Sequence, residues 1–130
     1  MSGYSINLEE KTLQNSNFRE VLYTAPHSQL VVMSIAPSDD IGMETHAEHD
    51  QFIRVEKGLG QAIIGESTYE LSDGVAVVIP AGQKHNIINT SSSESLQLYT
   101  VYTPAEHPEG KIHATKADAL SDPDYAEEGE

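Results

Sequence analysis

Between residues 19 and 103 the chain is cut into eight short runs, apolar or alternating, and none is longer than nine residues. They are REVLYTA (19–25), SQLVVMSIA (28–36), DQFIRVEKG (50–58), GQAIIGE (60–66), STYEL (67–71), GVAVVIP (74–80), HNIINT (85–90) and SLQLYTVYT (95–103). Runs of this length and texture are strands, and so many in succession predict an all-β sandwich or barrel. The links APSDDIG, EKGLG, LSDG, PAG and TSSSES supply residues that accept positive φ or pre-set a turn, so the connections are hairpin-sized. Helical periodicity is absent until ATKADALS, where Thr115 as N-cap and Asp118 three residues later predict a short terminal helix. The expected organisation is an N-terminal arm (1–18), a β-barrel (19–103) and a C-terminal loop, short helix and acidic tail (104–130).

A chain of 130 residues suits one domain, and 38% hydrophobic with 22% charged residues is the mix of a chain with a real core. Twenty-one acids against seven bases give a net charge of −14, which disfavours nucleic acid or an anionic membrane surface as partner. Part of the acidity is local: ADALSDPDYAEEGE carries six acids and no base, and reads as a solvated tail. Cysteine is absent, so any metal must be held by nitrogen and oxygen. The N-terminus has no basic segment leading into an apolar run, and the expected compartment is the cytoplasm.

Two stretches carry the chemistry. In ETHAEHDQFIRVEKG, Glu44 and His46 are two apart on a strand and share a face. If residues 47–50 join two antiparallel strands, Gln51, which shares parity with Ile53 and Val55, enters the same interior. In GVAVVIPAGQKHNIIN the Pro-Ala-Gly turn aims His85 back at that cluster. Burying a carboxylate and imidazoles without partners costs several kcal/mol, and a divalent cation is the natural compensation. Glu44, His46, Gln51 and His85 suit Fe, Mn, Ni or Zn with positions left open. His49 is an alternative donor to Glu44 or Gln51 if the intervening loop bulges. Tyr99 and Tyr102 lie on the last strand with opposite facing, so one of them offers a phenol to the interior. His107 and His113 fall in the loop leaving that strand, where one surface histidine and one covering the barrel mouth are expected.

These residues resemble the cupins. Their second motif is met at every position by Gly74, Pro80, Gly82, His85 and Asn89. Their first, a glycine and His-x-His followed by Glu and Gly, is met in spacing but not identity: Glu44 and His46 stand at the histidine places, Gln51 at the glutamate place and Gly58 at the closing glycine. The opening glycine is displaced, Gly42 standing closer. The exchange preserves a ligand charge of −1. The resemblance implies a double-stranded β-helix with a divalent metal inside one end.

Cupins host many reactions, so the site must choose. The DQFIRVEKG form is similar to small members labelled mannose-6-phosphate isomerase-like, yet a phosphate dianion calls for an arginine or lysine cluster. The barrel offers only Arg54, Lys57 and Lys84, by this reading. The expectation is therefore a metal-dependent enzyme acting on a sugar, uronate or keto acid, of isomerase or ring-opening type, with His49 or an inward tyrosine moving the proton. Some cupins similar to this chain in having glutamine at the glutamate place process uronates in this way. The alternatives are an Fe(II) dioxygenase and a non-catalytic metal- or ligand-binding cupin. Open sheet edges predict a homodimer, with the residues before Arg19 as the docking segment.

Overall fold

The computed structural model describes residues 2–123. In chain order it contains α1 (Leu8–Gln14), β1 (Arg19–Thr24), β2 (Gln29–Ile35), β3 (Glu44–Thr45), β4 (Asp50–Lys57), β5 (Gly60–Ile64), β6 (Ser67–Leu71), β7 (Ala76–Ile79), β8 (Lys84–Asn89), β9 (Leu96–Thr103), β10 (Ile112–His113) and α2 (Lys116–Leu120). A six-stranded sheet runs β10-β1-β2-β9-β4-β7 and a four-stranded sheet runs β3-β8-β5-β6. The eight sequence runs return as β1, β2 and β4 to β9, each within two residues of the expected ends.

Alternation decides what faces inward. Ile53 and Val55 of β4, Leu96 and Leu98 of β9, and Val31, Met33 and Ile35 of β2 are fully buried, and Ala62, Ile79 and Ile87 meet them in one core cluster. Each such side chain contributes about 1.5–3 kcal/mol by leaving water. Asn89, the last residue of the Gly74–Asn89 motif, has a purely structural role. Its Nδ2 donates to the carbonyls of Ile35 (2.9 Å), Ala36 (3.2 Å) and Glu94 (2.8 Å), while its Oδ1 accepts from the Ser91 N–H (2.8 Å). Gly60 sits where β5 and β8 press together, and a Cβ there would lie 2.5 Å from the Ile88 carbonyl oxygen. Backbone cannot give way cheaply at that distance.

The C-terminal helix forms as expected, with the Thr115 hydroxyl accepting from the Asp118 N–H at 3.1 Å. Helix α1 was not expected. Its only buried side chain is Thr12, so it leaves no hydrophobic periodicity to read; its signal is a cap, Asn7 Oδ1 accepting from the Glu10 N–H at 3.1 Å. The helix lies on its own sheet, held by Gln97 of β9, whose Nε2 donates to the carbonyls of Thr12 (3.0 Å), Leu13 (3.2 Å) and Asn15 (2.9 Å). Tyr4 stacks on Tyr23 of β1, ring centroids 5.0 Å apart.

The expectation of one surface histidine after β9 is overturned, because His107 and His113 are each only 5% exposed. The reason is β10, which pairs with the start of β1 and draws residues 104–111 back over the barrel. Gln29 fastens that loop: its Oε1 accepts from the N–H groups of Glu106 (3.2 Å) and His107 (3.0 Å), and its Nε2 donates to the His107 carbonyl (2.8 Å). The acidic stretch is also partly structured, since Asp122 pairs with Lys111 (2.9 Å) and His113 (2.8 Å); residues 124–130 of the expected tail lie outside the described residues.

Two outcomes follow for stability. Gly60→Ala should lower the urea midpoint by the equivalent of about 1–3 kcal/mol at unchanged m-value, as overpacking does, whereas Gly3→Ala, with nothing within 4 Å, should not. Burial, and then the Arg19 charge, push His107 down to about 2. The unfolded chain takes up that proton near pH 6.5, so from 6.5 downward the unfolded state binds more protons and stability falls by about 1.4 kcal/mol per pH unit. His107→Leu should therefore narrow the gap between urea midpoints measured at pH 7 and pH 5, and a gap as wide as the parent's refutes this.

Candidate metal centre

Strand pairing assembles the centre from three segments. Glu44 on β3 is the cross-strand partner of His85 on β8, and Gln51 on β4 stands between Ile79 of β7 and Tyr102 of β9. The Pro-Ala-Gly turn leading into β8 is docked on the other segment: the Gly82 N–H donates to the His46 carbonyl and the Ala81 N–H to Asp50 Oδ1, both at 2.9 Å. Gly82 adopts φ +88°, which the tight turn requires. A histidine follows this turn because the turn is the hinge that carries it to Glu44 and His46.

All four side chains are buried: Glu44 at 6%, His46 at 4%, Gln51 at 3% and His85 at 3% exposure. Ligating atoms of Glu44, His46 and His85 lie within 4.8 Å of one another, with His46 Nε2 3.4 Å from Glu44 Oε1. Two bonds of about 2.1 Å from one ion span at most about 4.2 Å, so the set is open by no more than roughly half an ångström. Both ring nitrogens of His46, Nε2 of His85 and Oε1 of Gln51 are buried without a hydrogen-bond partner. Such atoms fit a divalent cation, which is what nitrogen and oxygen donors aimed at one point would satisfy.

Outer contacts orient the donors. His85 Nδ1 donates to the Gln83 carbonyl at 2.9 Å, leaving Nε2 as the lone-pair nitrogen, and desolvation lowers its pKa, keeping the ring neutral as a ligand must be. Gln51 Nε2 donates to Thr100 Oγ1 at 3.1 Å, which commits the NH₂ and leaves the buried amide oxygen without a partner. His46 Nδ1 lies 3.5 Å from Glu106 Oε2.

The remaining candidates separate. Tyr102 points inward, 1% exposed, its ring edge-on to His46 at 5.8 Å and to His107 at 5.0 Å. Tyr99 is on the opposite face of β9, packed 6.3 Å from Phe52, and the alternation of the strand removes it from the centre. His49 is not among the clustered ligating groups; its Nδ1 donates to the Pro104 carbonyl at 2.8 Å and its Nε2 meets Glu106 Oε1 at 3.0 Å. With Nδ1 committed to a carbonyl, which can only accept, Nε2 is the nitrogen that faces Glu106. Burial raises the Glu106 pKa.

Three residues escape the sequence reading. Glu106 sits in a loop with the composition of plain surface, Thr100 is a hydroxyl in an apolar run, and Arg19 stands at a strand terminus. The count of barrel cations is thus corrected: Arg19 is 1% exposed, its Nη1 3.5 Å from His113 Nδ1. Its parity with buried Val21 was the available signal. Thr100→Val, which keeps shape and removes the acceptor, should weaken binding of an added divalent metal by about tenfold, as loss of outer-shell partners does; calorimetric titration checks it against the parent protein.

The model of the cupin domain family matches residues 31–102. L612 of Acanthamoeba polyphaga mimivirus is 47% identical over 112 residues, covering 84% of this chain and 70% of the relative. YrkC of Bacillus subtilis is 42% identical over 124 residues, covering 91% and 66% respectively, so the chain spans about two thirds of both relatives. The crystal structure of BH2720 from Bacillus halodurans superposes with a TM-score of 0.90 at 40% identity, over 93% of this chain and 96% of that one.

Proposed function

This chain belongs to the cupin family, and on that premise we propose that it is a metal-dependent enzyme acting on a small oxygen-rich molecule, a sugar, uronate or keto acid, by isomerisation or ring-opening. The observation that carries the reading is the cluster of Glu44, His46 and His85 ligating atoms, with ring nitrogens of both histidines buried and unpartnered, as is Oε1 of Gln51. A divalent ion held by these four supplies Lewis acidity, polarising a carbonyl and acidifying the neighbouring C–H or O–H. Two neutral imidazoles, one carboxylate and one amide leave such an ion with net positive charge and open positions.

The chain's own groups do the rest. Tyr102 and the apolar walls of β2, β4 and β9 exclude water around the donors. His49 and Glu106 pair at 3.0 Å at the edge of the centre, with His49 the more solvent-facing at 20% side-chain exposure against 8%. This pairing supports the reading that His49 and Glu106 exchange a proton with the substrate. Arg19 adds a buried positive charge that is felt at Glu106 and His107, which favours a carboxylate-bearing molecule over a neutral one. Among the described residues no helix is long and apolar enough to cross a membrane. The proposal includes a cytoplasmic homodimer, paired through the edges of the two sheets.

Elemental analysis of protein purified without added metal, beside Gln51→Ala and His85→Ala, tests the centre. Substoichiometric metal in both variants and near-stoichiometric metal in the parent are expected; equal content in all three removes the centre. Incubation of the metal-loaded protein with uronates, ketoses and keto acids in D₂O, followed by NMR, should reveal deuterium at the carbon beside the carbonyl without uptake of O₂. Oxygen consumption would instead establish the Fe(II) dioxygenase reading, for which two histidines and a carboxylate are a known ligand set.

A further inference from the structure

Two of the candidate ligands are oriented by a hydrogen bond to a group outside the cluster. His85 is held by the Gln83 carbonyl and Gln51 by Thr100. For His46 the outer position is different. Its Nδ1 is buried and makes no hydrogen bond, and the group beside it is the Glu106 carboxylate, Oε2 at 3.5 Å. That separation is a few tenths of an ångström beyond the usual N–H···O range of about 2.7–3.2 Å.

Glu106 is itself held. Its other oxygen, Oε1, is 3.0 Å from His49 Nε2, the far nitrogen of that ring donates to the Pro104 carbonyl, and the Glu106 N–H donates to Gln29. A carboxylate clamped at backbone, side chain and loop, with its second oxygen turned to an unpartnered imidazole nitrogen, is built to receive a proton from that nitrogen.

The geometry points to Glu106 as the positioning residue of His46. It accepts the Nδ1 proton, fixes the tautomer with the Nε2 lone pair toward Glu44 and His85, and raises the basicity of the ring, as carboxylate partners of metal-bound histidines do. His49 acts one step further out by holding Glu106, and is neither a ligand nor interchangeable with Glu44 or Gln51. The loop after β9 thereby becomes part of a centre otherwise built from β3, β4 and β8. This inference rests on the metal reading proposed above.

The test titrates Co(II), used alone as probe, into the parent protein, Glu106→Ala, Glu106→Gln, His49→Ala, His85→Ala and the exposed loop control Glu109→Gln, with visible absorption as readout. Glu106→Ala should bind Co(II) on the order of 10–100-fold more weakly and give a shifted ligand-field band at saturation. Glu106→Gln, whose amide oxygen still accepts from Nδ1, should recover most of the affinity and the parental band position. His49→Ala should show a smaller loss than Glu106→Ala, and Glu109→Gln none. Parental affinity and band in Glu106→Ala, or parental affinity in His49→Ala should Glu106→Ala not fold, overturn the assignment while a His85-dependent parent signal leaves the centre standing. A parent protein that binds no Co(II), or binds it equally without His85, overturns both.

Discussion

An ionisable carboxyl, two imidazoles and an amide taken out of water at one point are the constraint from which the rest of the molecule follows. Left alone, each would cost several kcal/mol. The fold accepts them because three segments bring them together and three of them have a group beside them on the outer side: Gln83 for His85, Thr100 for Gln51, and the Glu106 carboxylate beside His46. What is left unsatisfied is a small group of lone pairs that share a focus. A core stabilised only by apolar packing would have no reason to keep them.

The connections explain how so short a chain reaches that arrangement. Strand β3 is only two residues long, yet it is held in place because the turn before β8 donates to the His46 carbonyl and to Asp50. The two ligand-bearing segments are thus joined by backbone hydrogen bonds before any ion is considered. The same economy appears after β9, where one amide, Gln29, secures the returning loop from both its ends.

Strands, turns and the cluster of Glu44, His46 and His85 were legible because they depend on local rules. Period-two alternation placed Gln51 with Ile53 and Val55, and the spacing Gly74–Pro80–Gly82–His85–Asn89 carried both a turn and its aim. Helix α1 was not legible, since its attachment is made by carbonyls accepting from Gln97 and not by an apolar stripe. His107, His113 and Glu106 resisted for a related reason: their burial depends on β10 returning to β1, a contact across some ninety residues that no local pattern announces. Arg19 shows the opposite failure. Its facing was readable from Val21, and only the habit of placing arginine at the surface hid it.

His85 stands second in β8 and Asn89 closes it, four residues and about 13 Å further along the strand. At the Asn89 end one amide satisfies three carbonyls and a backbone N–H, so hydrogen-bonding demand is exhausted there. At the His85 end it is withheld. Strand β8 is therefore polarised along its length, with unmet polar demand collected at one end and spent at the other.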